Sequence, residues 1–193
     1  MRWLLLHARA RQVPASAAAL ALTTLVVWYF THGDGDGEAA ADPRVALLTI
    51  GMGVTAAAVG LGGADVALER TAAIRWSVRR TAHVLLIATL VGAALLLSGA
   101  AGAELAPVAF IVRDAAGLTG LAALGATVCG APYAWAPPMG WLAIALFLPA
   151  PSGTAGEIAG WMLLPPGTEV ATWTASVLLA GGTALYAVMG ERR

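Results

Sequence analysis

The chain contains no lysine; all eleven of its basic residues are arginine. That absence removes the phosphate-binding loop, which needs a lysine on the phosphates, and with it Schiff-base chemistry and polylysine lipid patches. Cysteine occurs once, at Cys129, which excludes an internal disulfide and a multi-cysteine metal site and leaves a small buried packing residue as its expected role. Charge is scarce, 11% of 193 residues, and sums to zero, so net charge points to no nucleic-acid partner. His7, His32 and His83 fall at or beyond the ends of apolar runs, on differing sides. They cannot converge with Ser16, Ser98, Ser152 or Ser176 into a nucleophile and base, nor with one another around a metal. The chain is therefore expected to hold no catalytic residue, no cofactor and no metal. No small-residue cleavage site soon follows the apolar Leu4 to Leu6, so the N-terminal segment is expected to be retained.

What is present is apolar. Hydrophobic residues make up 59% of the chain and its mean hydropathy is +0.78, too much apolar surface for one soluble core of this size. The expectation is an all-α polytopic membrane protein, a single transmembrane domain with six transmembrane helices at 15–31, 43–68, 81–99, 107–129, 138–150 and 170–189. Residues 1–14 interleave Trp3 and Leu4 to Leu6 with Arg2, Arg9 and Arg11, which suits an interfacial elbow helix ended by Pro14. The run 138–150 is short for a span and is broken by Pro149 and Pro151. It is either a short span followed by a shallow re-entrant helix over 151–169, or part of a hairpin that never crosses.

Arginine placement decides for the span. Arg2, Arg9, Arg11, Arg70, Arg75, Arg79, Arg80, Arg192 and Arg193 all fall on one side in a six-span thread, and basic flanks mark the cytoplasmic side. Both termini are then cytoplasmic and the number of crossings even. Asp34, Asp36, Glu38 and Asp42 fall in an outer Asp-Gly loop that lacks the spacing of a calcium site. Two features stand out from the apolar background. In the inner loop 66–82, Arg75 and Arg79 share one helical face and Ile74 and Val78 an apolar strip, so the loop reads as a short amphipathic helix or as a basic turn that fixes topology. In the fourth span, Arg113 and Asp114 sit about 10 Å along the axis, where an ionisable pair is costly. They are either part of a substrate path or a structural tie, with Arg113 snorkelling outward and Asp114 bonded to a neighbouring helix. Gly117, Gly120 and Gly125 narrow the rest of that helix, and Ala56 with Gly60 forms a small-xxx-small pair in the second span.

The order of parts resembles the transmembrane subunit of a type-2 ABC exporter. An elbow (RWLLLHARARQVP) precedes two spans joined by a helical inner loop (ALERTAAIRWSVRRTAH), and a broken outer segment (LPAPSGTAGEIAGWMLLPP) lies between spans five and six. The stretches LERT, VRDAAGLTGLAALGA and AWAPPMGW are similar to small actinobacterial ABC permeases, although a neutral amide would be expected at Asp114. The resemblance implies that the inner loop is a coupling helix, with Arg70, Thr71, Ile74, Arg75 and Arg79 at the contact with a separate ABC ATPase subunit. ATP and magnesium would sit on that subunit. It further implies a homodimer or a related permease partner, a place in the cell membrane among lipid, and a lipophilic or amphipathic cargo. The alternative is a non-transporting scaffold or accessory subunit that docks a cytoplasmic partner through the same loop.

Overall fold

A computed structural model of the chain describes residues 43–62, 76–100, 105–147 and 153–192, and among these every regular element is helical. The elements are α1 (Pro43–Ala58), extended by a 3-10 turn over Val59–Leu61; α2 (Trp76–Ala100); and α3 (Val108–Val128). A 3-10 turn over Ala131–Tyr133 leads to α4 (Ala136–Phe147) and α5 (Thr154–Ala159); a further one over Trp161–Leu163 leads to α6 (Glu169–Met189). Four of these helices are long and apolar enough to cross a membrane: α1 with its 3-10 extension, α2, α3 and α6. At 1.5 Å per residue the 21 residues of α3 and of α6 measure about 31 Å, close to the thickness of a bilayer's hydrocarbon core. The expected elbow and first span, and most of the inner loop, lie outside the described residues.

Helix boundaries follow local chemistry. Proline suits a helix start because its missing N–H would be an orphan there. Pro43 opens α1, Pro107 precedes α3, and Pro137 and Pro138 fall in the first turn of α4. Gly130 just after α3 and Gly190 just after α6 take left-handed φ of 94° and 73°, which a side chain would resist. One boundary differs from expectation: α2 begins at Trp76, so residues 76–82 are the first turns of a 25-residue helix that continues through 81–99. Nothing in WSVRRTAH breaks a helix, and an i,i+3 cation–π contact, Arg79 Cζ lying 5.7 Å from the Trp76 ring centroid, links its first turn.

Close approaches between elements give the helix directions. The 3-10 turn after α1, the start of α2, the α3–α4 connection and residues 190–192 gather at one end. There an added Cβ at Gly62 would lie 3.4 Å from Ala131 and 3.6 Å from the Glu191 carboxylate, and one at Gly190 would lie 2.7 Å from the Arg80 guanidinium. The Tyr186 hydroxyl donates to the Leu61 carbonyl at the same end, and the Arg192 N–H donates to the Ala126 carbonyl at 3.0 Å. We call this the arginine end. Helices α1, α3 and α6 run toward it, while α2 and α4 run away from it. The 12 residues of α4 cover only about 18 Å of the return, less than a bilayer core.

Helix α3 is the centre of the bundle, with 15 of its 21 residues buried against α6, α2, α1 and α4. Its glycines set how near the neighbours come. A Cβ at Gly120 would run into the Leu178 carbonyl and the Leu179 nitrogen, and one at Gly182 into the Gly120 carbonyl, so α3 and α6 cross backbone to backbone. Lipid tails are as apolar as leucine, so within a bilayer this close van der Waals fit carries the association that hydrophobicity supplies in water. Cys129 departs from its expected burial. It is exposed, because it falls one residue past the last turn of α3 and outside the glycine seam.

Candidate functional site

The site with the most polar chemistry lies where α3 meets the segment that follows α5. Sequence neighbours on a helix point about 100° apart, and the long arginine side chain bridges that angle to reach the Asp114 carboxylate. Arg113 Nε donates to Asp114 Oδ1 at 2.7 Å, with side-chain exposures of 6% and 0%. The remaining donors leave α3 altogether. Nη1 donates to the carbonyls of Leu164 at 3.0 Å and Pro165 at 3.2 Å, and Nη2 donates to the carbonyl of Met162 at 3.2 Å. Arg113 Cζ also lies 5.1 Å from the Phe110 ring centroid, one turn earlier on α3.

One guanidinium thus collects three backbone carbonyls in and just after a 3-10 turn, of which that of Pro165 also accepts from the N–H and hydroxyl of Thr168. A charge in hydrocarbon is costly unless it is paired and hydrogen-bonded, and Arg113 has an ion-pair partner and makes four hydrogen bonds. The contacts differ from those foreseen for a structural tie. Arg113 does not snorkel outward but stays buried, and Asp114 bonds its own neighbour rather than another helix. Below the pair, Trp161, which is 0% exposed, lays its benzo edge against Gly117, where even one methyl group would overlap the ring. Trp141 Nε1 of α4 donates to the Ala159 carbonyl at 2.8 Å and fixes the other flank of the segment. Two polar atoms in this region, Asp114 Oδ2 and Trp161 Nε1, are buried with no hydrogen-bond partner.

The expected coupling residues divide. Arg70, Thr71, Ile74 and Arg75 lie outside the described residues, while Arg79 is on the first turn of α2 at the arginine end, half-buried over Trp76. Val78 beside it is 60% exposed. Arg192 Nη1 donates to the Val128 carbonyl at 3.3 Å, which brings a further cation to that end. Beside it opens a cavity of about 400 Å³ lined by Ala58, Val59, Gly62, Ala131, Pro132, Trp135 and Glu191. Among the described residues no group of His, Cys, Asp and Glu could hold a metal ion. Sequence reasoning missed the acceptors of Arg113 because they are main-chain carbonyls, which any residue carries. Gly117, one turn beyond Arg113, was the visible sign that something bulky packs there.

No family model, no curated protein and no solved structure matches the chain.

Proposed function

We propose that the chain is the membrane-spanning subunit of an ABC transporter of the type-2 exporter class, moving a lipophilic or amphipathic molecule with ATP hydrolysed by a separate subunit. The observation that carries this reading is the arginine end. The start of α2 with Arg79 and Arg80, the α3–α4 connection and the segment Gly190–Arg192 meet there, and the sequence between α1 and α2 contains Arg70 and Arg75. Such a concentration of arginine marks the cytoplasmic side and offers a docking edge for a soluble motor. The alternating directions of α1, α2, α3, α4 and α6 also support it. With the apolar run 15–31 placed before them, they make six passes with both termini on the cytoplasmic side of the cell membrane. In this reading 1–14 is the elbow, 66–82 the coupling element and 151–169 the outer segment. Two copies, or one copy with a related permease, enclose the path between protomers, which agrees with the closed α3–α6 contact inside one protomer.

The test is copurification of an ATPase subunit from membranes and its loss when Arg75 and Arg79 are both changed to Glu. Reversing two charges at a rim contact should weaken binding at least about tenfold. If the double variant still binds and stimulates the ATPase, the coupling role is wrong. A scaffold would bind its partner through the same edge but would show no change of ATP turnover on binding.

A further inference from the structure

The segment Gly153–Thr168 is unlike the rest of the bundle. It holds a six-residue helix and a three-residue 3-10 turn, each too short to persist alone. It is bracketed by Gly153 and Gly167 at φ 79° and 92°, and an added Cβ at either would meet nothing within 4 Å. Open, left-handed glycines at both ends of a short element are suited to act as hinges. Its inner part is seated by shape, with Trp161 and Met162 fully buried and Trp161 set in the notch at Gly117. Its polar anchorage converges on the Arg113 guanidinium, which Asp114 holds in place, and on Trp141.

We propose that Gly153–Thr168 is a displaceable plug and that Arg113 is the latch that keeps it seated. Seating is not free of strain: Asp114 Oδ2 and Trp161 Nε1 are sealed away without partners, a cost that water relieves as soon as the segment lifts. The closed state therefore rests on the burial of Trp161 and Met162 together with the three carbonyl bonds, and turning Arg113 away from those carbonyls shifts the balance toward the lifted state. Opening would uncover the side of α3 around Gly117 from the end opposite the arginine end. The purpose assigned to this opening, an outer exit for cargo, rests on the transporter reading; the latch itself does not.

The experiment uses the purified full chain in detergent, with Cys129→Ser and Met162→Cys, and follows the rate of modification by a charged, water-soluble maleimide. With Arg113 present, Cys at 162 should react slowly. With Arg113→Gln the rate should rise at least about tenfold, the change expected from losing one net hydrogen bond to a charged group. Arg113→Lys, which keeps the charge but cannot span three carbonyls, should fall between. A parallel Gly92→Cys/Ala115→Cys variant reports through its cross-link whether α2 and α3 remain packed. An unchanged rate with that cross-link intact overturns the latch. So does loss of the cross-link in both Arg113 variants, which would make Arg113 a residue the whole bundle needs. No ATPase or cargo enters the measurement, so its failure and the failure of the coupling test are separable.

Discussion

Replacing Gly182 by alanine adds one methyl group where α6 crosses α3, and the structure gives that methyl nowhere to go. It would overlap the Gly120 carbonyl oxygen, a main-chain atom that cannot rotate aside. Carbon and oxygen in a weak C–H···O contact settle about 3.3–3.6 Å apart, so the helices would have to part by more than about 1 Å to accept the change. Overpacking a well-fitted interior costs about 1–3 kcal/mol, and with backbone on both sides the upper half of that range applies. For a chain of this size the thermal midpoint in detergent should fall by roughly 5–10 °C. Gly181 is the internal control, because an added Cβ there meets nothing within 4 Å. Alanine at 181 gains helix propensity of up to about 1 kcal/mol and should leave the midpoint unchanged or raise it. The assay is thiol-independent thermal unfolding of both variants in the same detergent. Equal shifts for the two, or a larger loss at Gly181, would refute the backbone-to-backbone crossing.

Two further outcomes are expected from the same packing. Gly92 and Ala115 would place Cβ atoms 4.0 Å apart, within disulfide range, so the double cysteine variant in a Cys129→Ser background should cross-link on mild oxidation; failure to do so would place α2 wrongly against α3. Tyr186→Phe removes the hydroxyl that donates to the Leu61 carbonyl and should destabilise by about 1–2 kcal/mol, seen as a lower thermal midpoint, whereas a neutral effect would mean that this bond does not hold the end of α1.

The length and place of the described helices were largely legible in the sequence, and the reasons are local. Pro107 and the exposed turn after Val128 bound a run that was expected over 107–129 and forms over Val108–Val128. The run expected over 170–189 forms over Glu169–Met189. The start of α2 was not legible, because the arginines mark a loop beside a span expected from 81, while helix propensity continues unbroken through Arg79 and Arg80 to Trp76. At the site, the pairing of Arg113 with Asp114 was visible as an anomaly in an apolar run, but its purpose was not. What it binds is the main chain of residues 162–165, about 50 positions away, and no side-chain pattern announces a carbonyl. Likewise Gly120 was visible as a narrow point of α3, while its match with Gly182 is a property of the assembled bundle.

The return of Gly190–Arg192 onto the end of α3 has a consequence for biogenesis. The Ala126 carbonyl is satisfied by the amide of Arg192 and the Val128 carbonyl by its side chain, a donor that lies 64 residues further along. During synthesis α3 leaves the ribosome before that donor exists, and the carbonyls at its C-terminal end must be served by water or lipid headgroups in the interval. A nascent chain stopped just short of position 190 would hold all four membrane-length helices found among the described residues and still lack the clasp that closes α3.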